Sequence, residues 1–165
     1  SGGLYLITPD GAVRNLFKGT GCSNGMAFSS DGRHFYWTCT TTRTIFRFDY
    51  DRASGALTNR HALIVSTDLK GVPDGLTIDT DGNLWSARWG GYAIHTYTPA
   101  GERIGQIDFP VANVSSVIFG GPKLDTLYVT TAGGKEGADG LEGALFRVRV
   151  AARGLPEFRS AVRCR

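Results

Sequence analysis

Ser23-Asn24-Gly25-Met26-Ala27-Phe28-Ser29 runs through the turn Asp31-Gly32 into the aromatic stretch His34-Phe35-Tyr36-Trp37. Pro73-Asp74-Gly75-Leu76-Thr77-Ile78-Asp79 does the same through Asp81-Gly82 into Asn83-Leu84-Trp85-Ser86. Each copy has a triplet ending in Gly, a short strand-like run, a Gly turn and an aromatic strand, and the copies stand 50 residues apart. Self-similarity at such a spacing marks a fold built from repeated units. Asn24 and Asp74 hold equivalent places in the repeat. In a radially repeated fold, equivalent places converge on the axis. An amide oxygen and a carboxylate brought together there make half of a site for a hard cation.

The rest of the chain extends this pattern. Residues 4–8 and 12–17 flank Pro9-Asp10-Gly11, whose Pro and Gly favour chain reversal, so they form a hairpin. The second unit has expected strands at 25–29, 34–38, 44–50 and 60–65. The third has them at 75–79, 83–88, 93–97 and 103–109, and the fourth at 117–120, 126–131, 144–150 and 157–160. Thr44-Ile45-Phe46-Arg47-Phe48-Asp49-Tyr50 alternates in character, as a half-buried strand does. Four strands per unit, at roughly 40–50 residues per unit, is the spacing of a β-propeller blade. Residues 1–165 therefore read as an all-β, partial β-propeller of about three and a half four-stranded blades. Ser115-Ser116 stands where the fourth unit matches Ser23-Asn24 and Pro73-Asp74, which makes Ser116 a candidate substrate contact.

Composition narrows the function classes. Gly makes up 23 of 165 residues, consistent with many tight turns. The net charge is only +3 and the basic residues are scattered, which argues against nucleic-acid binding. Cys22, Cys39 and Cys164 are an odd number without short metal-ligand spacing, which argues against a disulfide framework or a zinc site. No apolar run approaches the ~18 residues of a bilayer span. No basic-then-apolar leader is seen, so a cytoplasmic protein without membrane contact is expected. The sequence opens inside a repeat, at the strand Leu4-Tyr5-Leu6-Ile7-Thr8. Open blade edges are a pairing liability, so the expectation is a piece of a longer propeller or self-association through those edges.

The ordered set Tyr5 with Pro9-Asp10-Gly11, Ser23-Asn24-Gly25, Ser30-Asp31-Gly32, Thr44–Asp51 with Gly55, Pro73-Asp74-Gly75, Gly82-Asn83-Leu84-Trp85, Phe119-Gly120-Gly121 and Leu127-Tyr128-Val129-Thr130 resembles the gluconolactonase/regucalcin (senescence marker protein) family. The match covers the C-terminal two-thirds or so of that family's six-bladed propeller. The resemblance implies metal-dependent hydrolysis of a sugar lactone, with one divalent cation at the mouth of the central channel. It implies Asn24 and Asp74 as metal ligands; the family's ligand Glu, from the first blade, has no counterpart in this sequence. It also places Cys39 where relatives commonly carry an Asp, a change that alters either the charge near the channel or only a structural turn.

The chemistry suits such a site. Lactone hydrolysis needs an activated water and stabilisation of the oxyanion, and a divalent cation supplies both. Oxygen ligands admit calcium, magnesium or manganese, and zinc also accepts carboxylates. Asp74 is the candidate catalytic base as well as a ligand, and Asn24 a neutral ligand that keeps the site's net charge low. Against this, Asn-Gly and Asp-Gly are also ordinary turn pairs. Two protein ligands alone hold a divalent ion weakly, so a non-catalytic binding or structural fragment with an incomplete metal site is the alternative.

Overall fold

The computed structural model describes residues 2–133 and 140–159. Lys135, Glu136 and Asp139 of the Gly-rich loop, and Ser160 and Cys164, lie outside the described residues. Among the described residues there are thirteen strands and no helix. β1 (Gly2–Ile7) and β2 (Val13–Thr20) form a hairpin. β3 (Ser23–Phe28), β4 (His34–Cys39), β5 (Thr44–Asp51) and β6 (Ala56–Val65) form one antiparallel meander. β7 (Val72–Ile78), β8 (Leu84–Trp89), β9 (Ala93–Tyr97) and β10 (Arg103–Asp108) form a second. β11 (Val114–Gly120), β12 (Thr126–Thr131) and β13 (Leu145–Arg149) form a three-stranded third.

The meanders follow the repeat. Each blade is closed in sequence because successive strands pair antiparallel through short turns. Asp31-Gly32 and Asp81-Gly82 build equivalent turns, with Gly32 at φ 66° and Gly82 at φ 83°, where a Cβ is disfavoured.

Side chains alternate across each sheet, and the inner blades are covered on both faces. On β4, Phe35, Trp37 and Cys39 pack with Leu4 and Phe48 toward the hairpin, while Tyr36 packs with Leu76, Ile78 and Leu84 of the next blade. On β8, Leu84 faces back, while Trp85 and Ala87 face Val114, Val117, Phe119 and Leu127. Burial on both faces leaves β4 and β8 buried along most of their length.

Of the fourth strand expected at 157–160, the described residues 157–159 are not in a strand. After β13 the chain turns back: Gly154 bridges to Asp79, and Gly154 N–H donates to the Leu124 carbonyl at 2.8 Å. Thr80 N–H donates to the Arg153 carbonyl at 2.7 Å, so the segment joins two blades instead of extending one. Pro156 has no N–H to give a ladder, and Leu155 packs beside Leu76 and Ile78. The Phe158 ring then meets Phe28 edge-on at 6.0 Å.

Candidate active site

The innermost strands β3, β7 and β11 lie side by side and carry the candidate residues. Each has a one-residue irregularity at the same place. Ser23 pairs with Cys39 and Met26 with Trp37; Pro73 pairs with Arg88 and Leu76 with Ser86. Three steps on one strand thus meet two on its partner, which is a β-bulge containing Asn24-Gly25 and Asp74-Gly75. On β11 the slip lies between Val114 and Ser116. A bulge re-aims a side chain and frees it from ladder alternation, so this is the device that presents Asn24 and Asp74.

This register also corrects the repeat alignment. Val114 pairs with Thr131, and Val117 with Val129, as Pro73 and Leu76 pair with Arg88 and Ser86. Ser115, not Ser116, is therefore the structural equivalent of Asn24 and Asp74. Ser116 takes the place of Gly25 and Gly75. Its side chain is exposed, whereas the Ser115 hydroxyl shares a 2.9 Å hydrogen bond with Thr130.

The Gly of each triplet lets the blades touch. A methyl on Gly25 would stand 2.6 Å from the Asp74 carbonyl oxygen, and one on Gly75 would stand 2.6 Å from the Ser116 Cα. Ser23 anchors its bulge by accepting the Trp37 indole N–H at 2.8 Å. Thr40 joins the two site residues: its hydroxyl donates to the Pro73 carbonyl at 2.8 Å and receives the Asn24 amide Nδ2 at 3.3 Å. Thr40 and Cys22, whose Sγ lies 4.0 Å from the same nitrogen, escaped the sequence reading because only the bulge brings them to Asn24.

Asp74 is buried, with 8% of its surface exposed. Burial pushes its carboxyl above the ordinary 3.8, and the Asn24 amide hydrogen bond pulls the other way without cancelling it. Among the described residues no Lys or Arg forms an ion pair with it. A buried carboxylate without a protein cation, beside an amide surrounded by acceptors, fits a divalent cation. The fit is partial, because no three His, Cys, Asp or Glu residues cluster among the described residues.

Cys39 is buried beneath the bulge. Burial pushes its thiol up, but hydrogen bonds from the Thr42 hydroxyl and from the Thr42, Gly21 and Cys22 backbone N–H groups leave it lowered overall.

Arg88 is fully buried and clamps the connection into β7. It donates to Ser66 Oγ at 3.1 Å and to the Gly71 carbonyl at 3.0 Å. In that connection Lys70 Nζ sits 4.2 Å above the Tyr92 ring of the β8–β9 turn, where Trp89 is half exposed. A cavity of about 680 Å³ lies along the inner strands, but its walls are apolar (Leu4, Met26, Leu76, Leu155 and Phe158 among them) and include neither Asn24 nor Asp74. Ser116 is one of its few polar contributors.

His95 is a buried core residue of β9, 3.2 Å from the Tyr97 hydroxyl. Burial, together with Arg88 and Arg103, lowers its pKa from 6.5 to about 4. The unfolded chain thus binds a proton between those values that the folded one refuses. Stability falls as pH drops from 6.5 toward 4, by about 3 kcal/mol across the window. His95→Gln is expected to flatten this part of the Tm–pH curve. An unchanged slope would place the acid sensitivity elsewhere.

The sequence profile of the family described as "SMP-30/Gluconolactonase/LRE-like region" matches residues 1–133. The chain is 45% identical over 171 residues to the pentonolactonase XacC of Haloferax volcanii, covering 98% of this chain and 59% of that protein. It is 32% identical over 164 residues to regucalcin of Oryctolagus cuniculus, covering 95% and 55% respectively. The solved structure of a calcium-binding protein, regucalcin, from Agrobacterium tumefaciens superposes with a TM-score of 0.87 at 28% identity, over 98% of this chain and 56% of that one. The chain spans little more than half the length of these relatives. No helix among the described residues is long and apolar enough to cross a membrane.

Proposed function

For a chain that belongs to the SMP-30/gluconolactonase/LRE-like family of propellers, we propose that it carries one flank of a metal-dependent lactonase site, in which Asn24 and Asp74 hold a divalent cation and Asp74 acts as the base. The observation that carries this reading is the buried Asp74 carboxylate, without a protein counter-cation, turned by a bulge beside Asn24. A pentonolactonase among the relatives supports a sugar lactone as substrate. Calcium, zinc, manganese and magnesium all suit the oxygen donors. When bound, the cation polarises the lactone carbonyl and lowers the pKa of a coordinated water.

The chain's own groups have separate tasks. Asp74 accepts the proton of the attacking water as general base. The acyl carbon–oxygen bond of the ring then breaks, and Asp74 returns the proton to the leaving alkoxide, giving a hydroxy acid. Asn24 ligates without adding charge. Ser116 offers an exposed hydroxyl on the next blade to the substrate.

The test is hydrolysis of five- and six-carbon aldonolactones, followed by acid release, before and after chelation and with each cation restored. Hydrolysis that disappears on chelation and returns with one of the four ions is the expected result. Hydrolysis unaffected by chelation would remove the metal from the reading. The second reading, a non-catalytic module with an incomplete metal site, is favoured by the lack of a three-residue His, Cys, Asp or Glu cluster among the described residues. Cation binding without any lactone hydrolysis would select it.

A further inference from the structure

Arg88 is fully buried, and among the described residues no Asp or Glu forms an ion pair with it. A buried guanidinium without a counter-charge is costly, so its hydrogen bonds show what it is kept for. They all go to one short link. Nη1 donates to Ser66 Oγ at 3.1 Å, and Nη2 donates to the Gly71 carbonyl at 3.0 Å and the Lys70 carbonyl at 3.4 Å. β6 ends at Val65 and β7 begins at Val72, so Ser66 and Gly71 are the first and last residues of the connection between them. The planar fork therefore grips both ends of that connection at once, which the point charge of a Lys does not do. The connection is also interlocked with the β8–β9 turn. A methyl on Gly71 would stand 2.5 Å from the Gly91 nitrogen, and one on Gly91 would stand 2.5 Å from the Arg88 Cβ.

We propose that Arg88 is the positioning residue for Asp74: by clamping both ends of the 66–71 connection it fixes where β7 begins, and so holds the Asp74 carboxylate beside the Asn24 side chain. Its bearing on catalysis rests on the reading of Asn24 and Asp74 as cation ligands. The bulge makes such a clamp necessary. Pro73 pairs with Arg88 and Leu76 with Ser86, so Asp74 and Gly75 have no ladder partners of their own. Their orientation is set from the two flanks, by the packed Leu76 on one side and by the clamped approach on the other. The clamp also reaches Asn24. The Pro73 carbonyl accepts the Thr40 hydroxyl at 2.8 Å, and the Thr40 oxygen receives Asn24 Nδ2 at 3.3 Å. β3 repeats the device with the bonding reversed. Cys39 pairs with Ser23 as Arg88 pairs with Pro73, and its sulfur accepts the backbone N–H groups of Gly21 and Cys22 on the approach to β3. Arg88 acts through the backbone and not by charge, since burial and the Asn24 hydrogen bond are what shift the Asp74 carboxyl.

The Asn24 side-chain amide, followed by heteronuclear NMR of the full chain without cation and assigned with Asn24→Ala, reads the positioning directly. Arg88→Met and Arg88→Lys are expected to move its proton pair to the place of a solvated amide. Arg88→Lys keeps the stem and the charge and loses only the fork. Ser66→Ala, a milder change that releases one end of the grip, should move the pair in the same direction. Ile94→Ala, a truncation in the core of the same blade, should lower stability and leave the pair in place. Calorimetry with zinc and with calcium should show affinity falling at least about tenfold in Arg88→Lys and less than about twofold in Ile94→Ala, as for a residue that orients a ligand without touching the ion. An amide pair unmoved in Arg88→Lys and Ser66→Ala overturns the proposal, and so does an equal movement in Ile94→Ala. Movement confined to the Arg88 and Ser66 variants, in a protein that shows no Asp74-dependent cation binding, upholds the positioning and removes the cation reading alone.

Discussion

Asp74→Asn is expected to abolish cation-dependent stabilisation while leaving the cation-free fold at least as stable as the wild type. The two halves of this result have separate causes. In the cation-free protein, Asp74 is a buried carboxyl with no basic partner among the described residues, and burial has raised its pKa. A raised carboxyl contributes stability that is fully present below the ordinary value of 3.8 and is lost as pH climbs through the folded value. At neutral pH the ionised side chain is therefore a net cost to the fold, and the neutral, isosteric amide removes it. With cation present the signs reverse. A bound ion stabilises the native state by about 2.7 kcal/mol when its free concentration is 100 times the dissociation constant. The variant forfeits that gain. Thermal unfolding at neutral pH, after chelation and at saturating cation, separates the two effects. A variant that melts lower than wild type after chelation yet keeps its cation response would mean that Asp74 is a structural residue and the ion sits elsewhere.

The second large effect is one of stability alone. Asp79→Ala is expected to destabilise the protein by about 3 kcal/mol or more. Asp79 is 1% exposed and every lone-pair direction of its carboxylate is engaged. One oxygen accepts the Asp81 and Asn83 backbone N–H groups at 3.0 and 2.8 Å; the other accepts Asn83 Nδ2 at 3.0 Å and the Trp85 indole N–H at 2.9 Å. Truncation strands the indole and two main-chain donors of the β7–β8 turn, and leaving a buried donor unmade costs more than a formed bond returns. The bridge from Asp79 to Gly154 depends on the same turn, so the returning C-terminal segment should loosen with it. Urea unfolding followed by tryptophan fluorescence gives the number. A loss under about 1 kcal/mol would show that water replaces the carboxylate in this turn.

The architecture was legible from the sequence because a propeller writes its unit into the chain. A strand-forming run, a Gly turn and an aromatic strand recur at a fixed interval, and those local signals coincide with the elements that form. The equivalent placement of Asn24 and Asp74 in the repeat was legible for the same reason. What lay beyond the sequence was whatever depends on register. A bulge shifts one strand by a single residue, so Ser115 rather than Ser116 matches Asp74, and composition at that point (two serines in a row) holds no signal to separate them. Thr40 reaches Asn24 through a cross-strand contact, and the Pro73 carbonyl through an inter-blade one, that periodicity does not encode. The segment 157–160 looked like a weak strand by analogy with the other units, yet Gly154 and Pro156 divert the chain onto another blade before a ladder can form.

The bulges have a consequence for how this frame changes over evolutionary time. Positions 24, 74 and 115 are one backbone niche occupied by an amide, a carboxylate and a hydroxyl, while the apolar residues that hold the sheets together, such as Leu76 and Val117, sit outside the slip. Chemistry and scaffold are thereby uncoupled: a lineage can exchange the functional group on any blade without repacking the interior. Successive blades behave like interchangeable tool holders around one axis, and position 115 carries the smallest of the three groups.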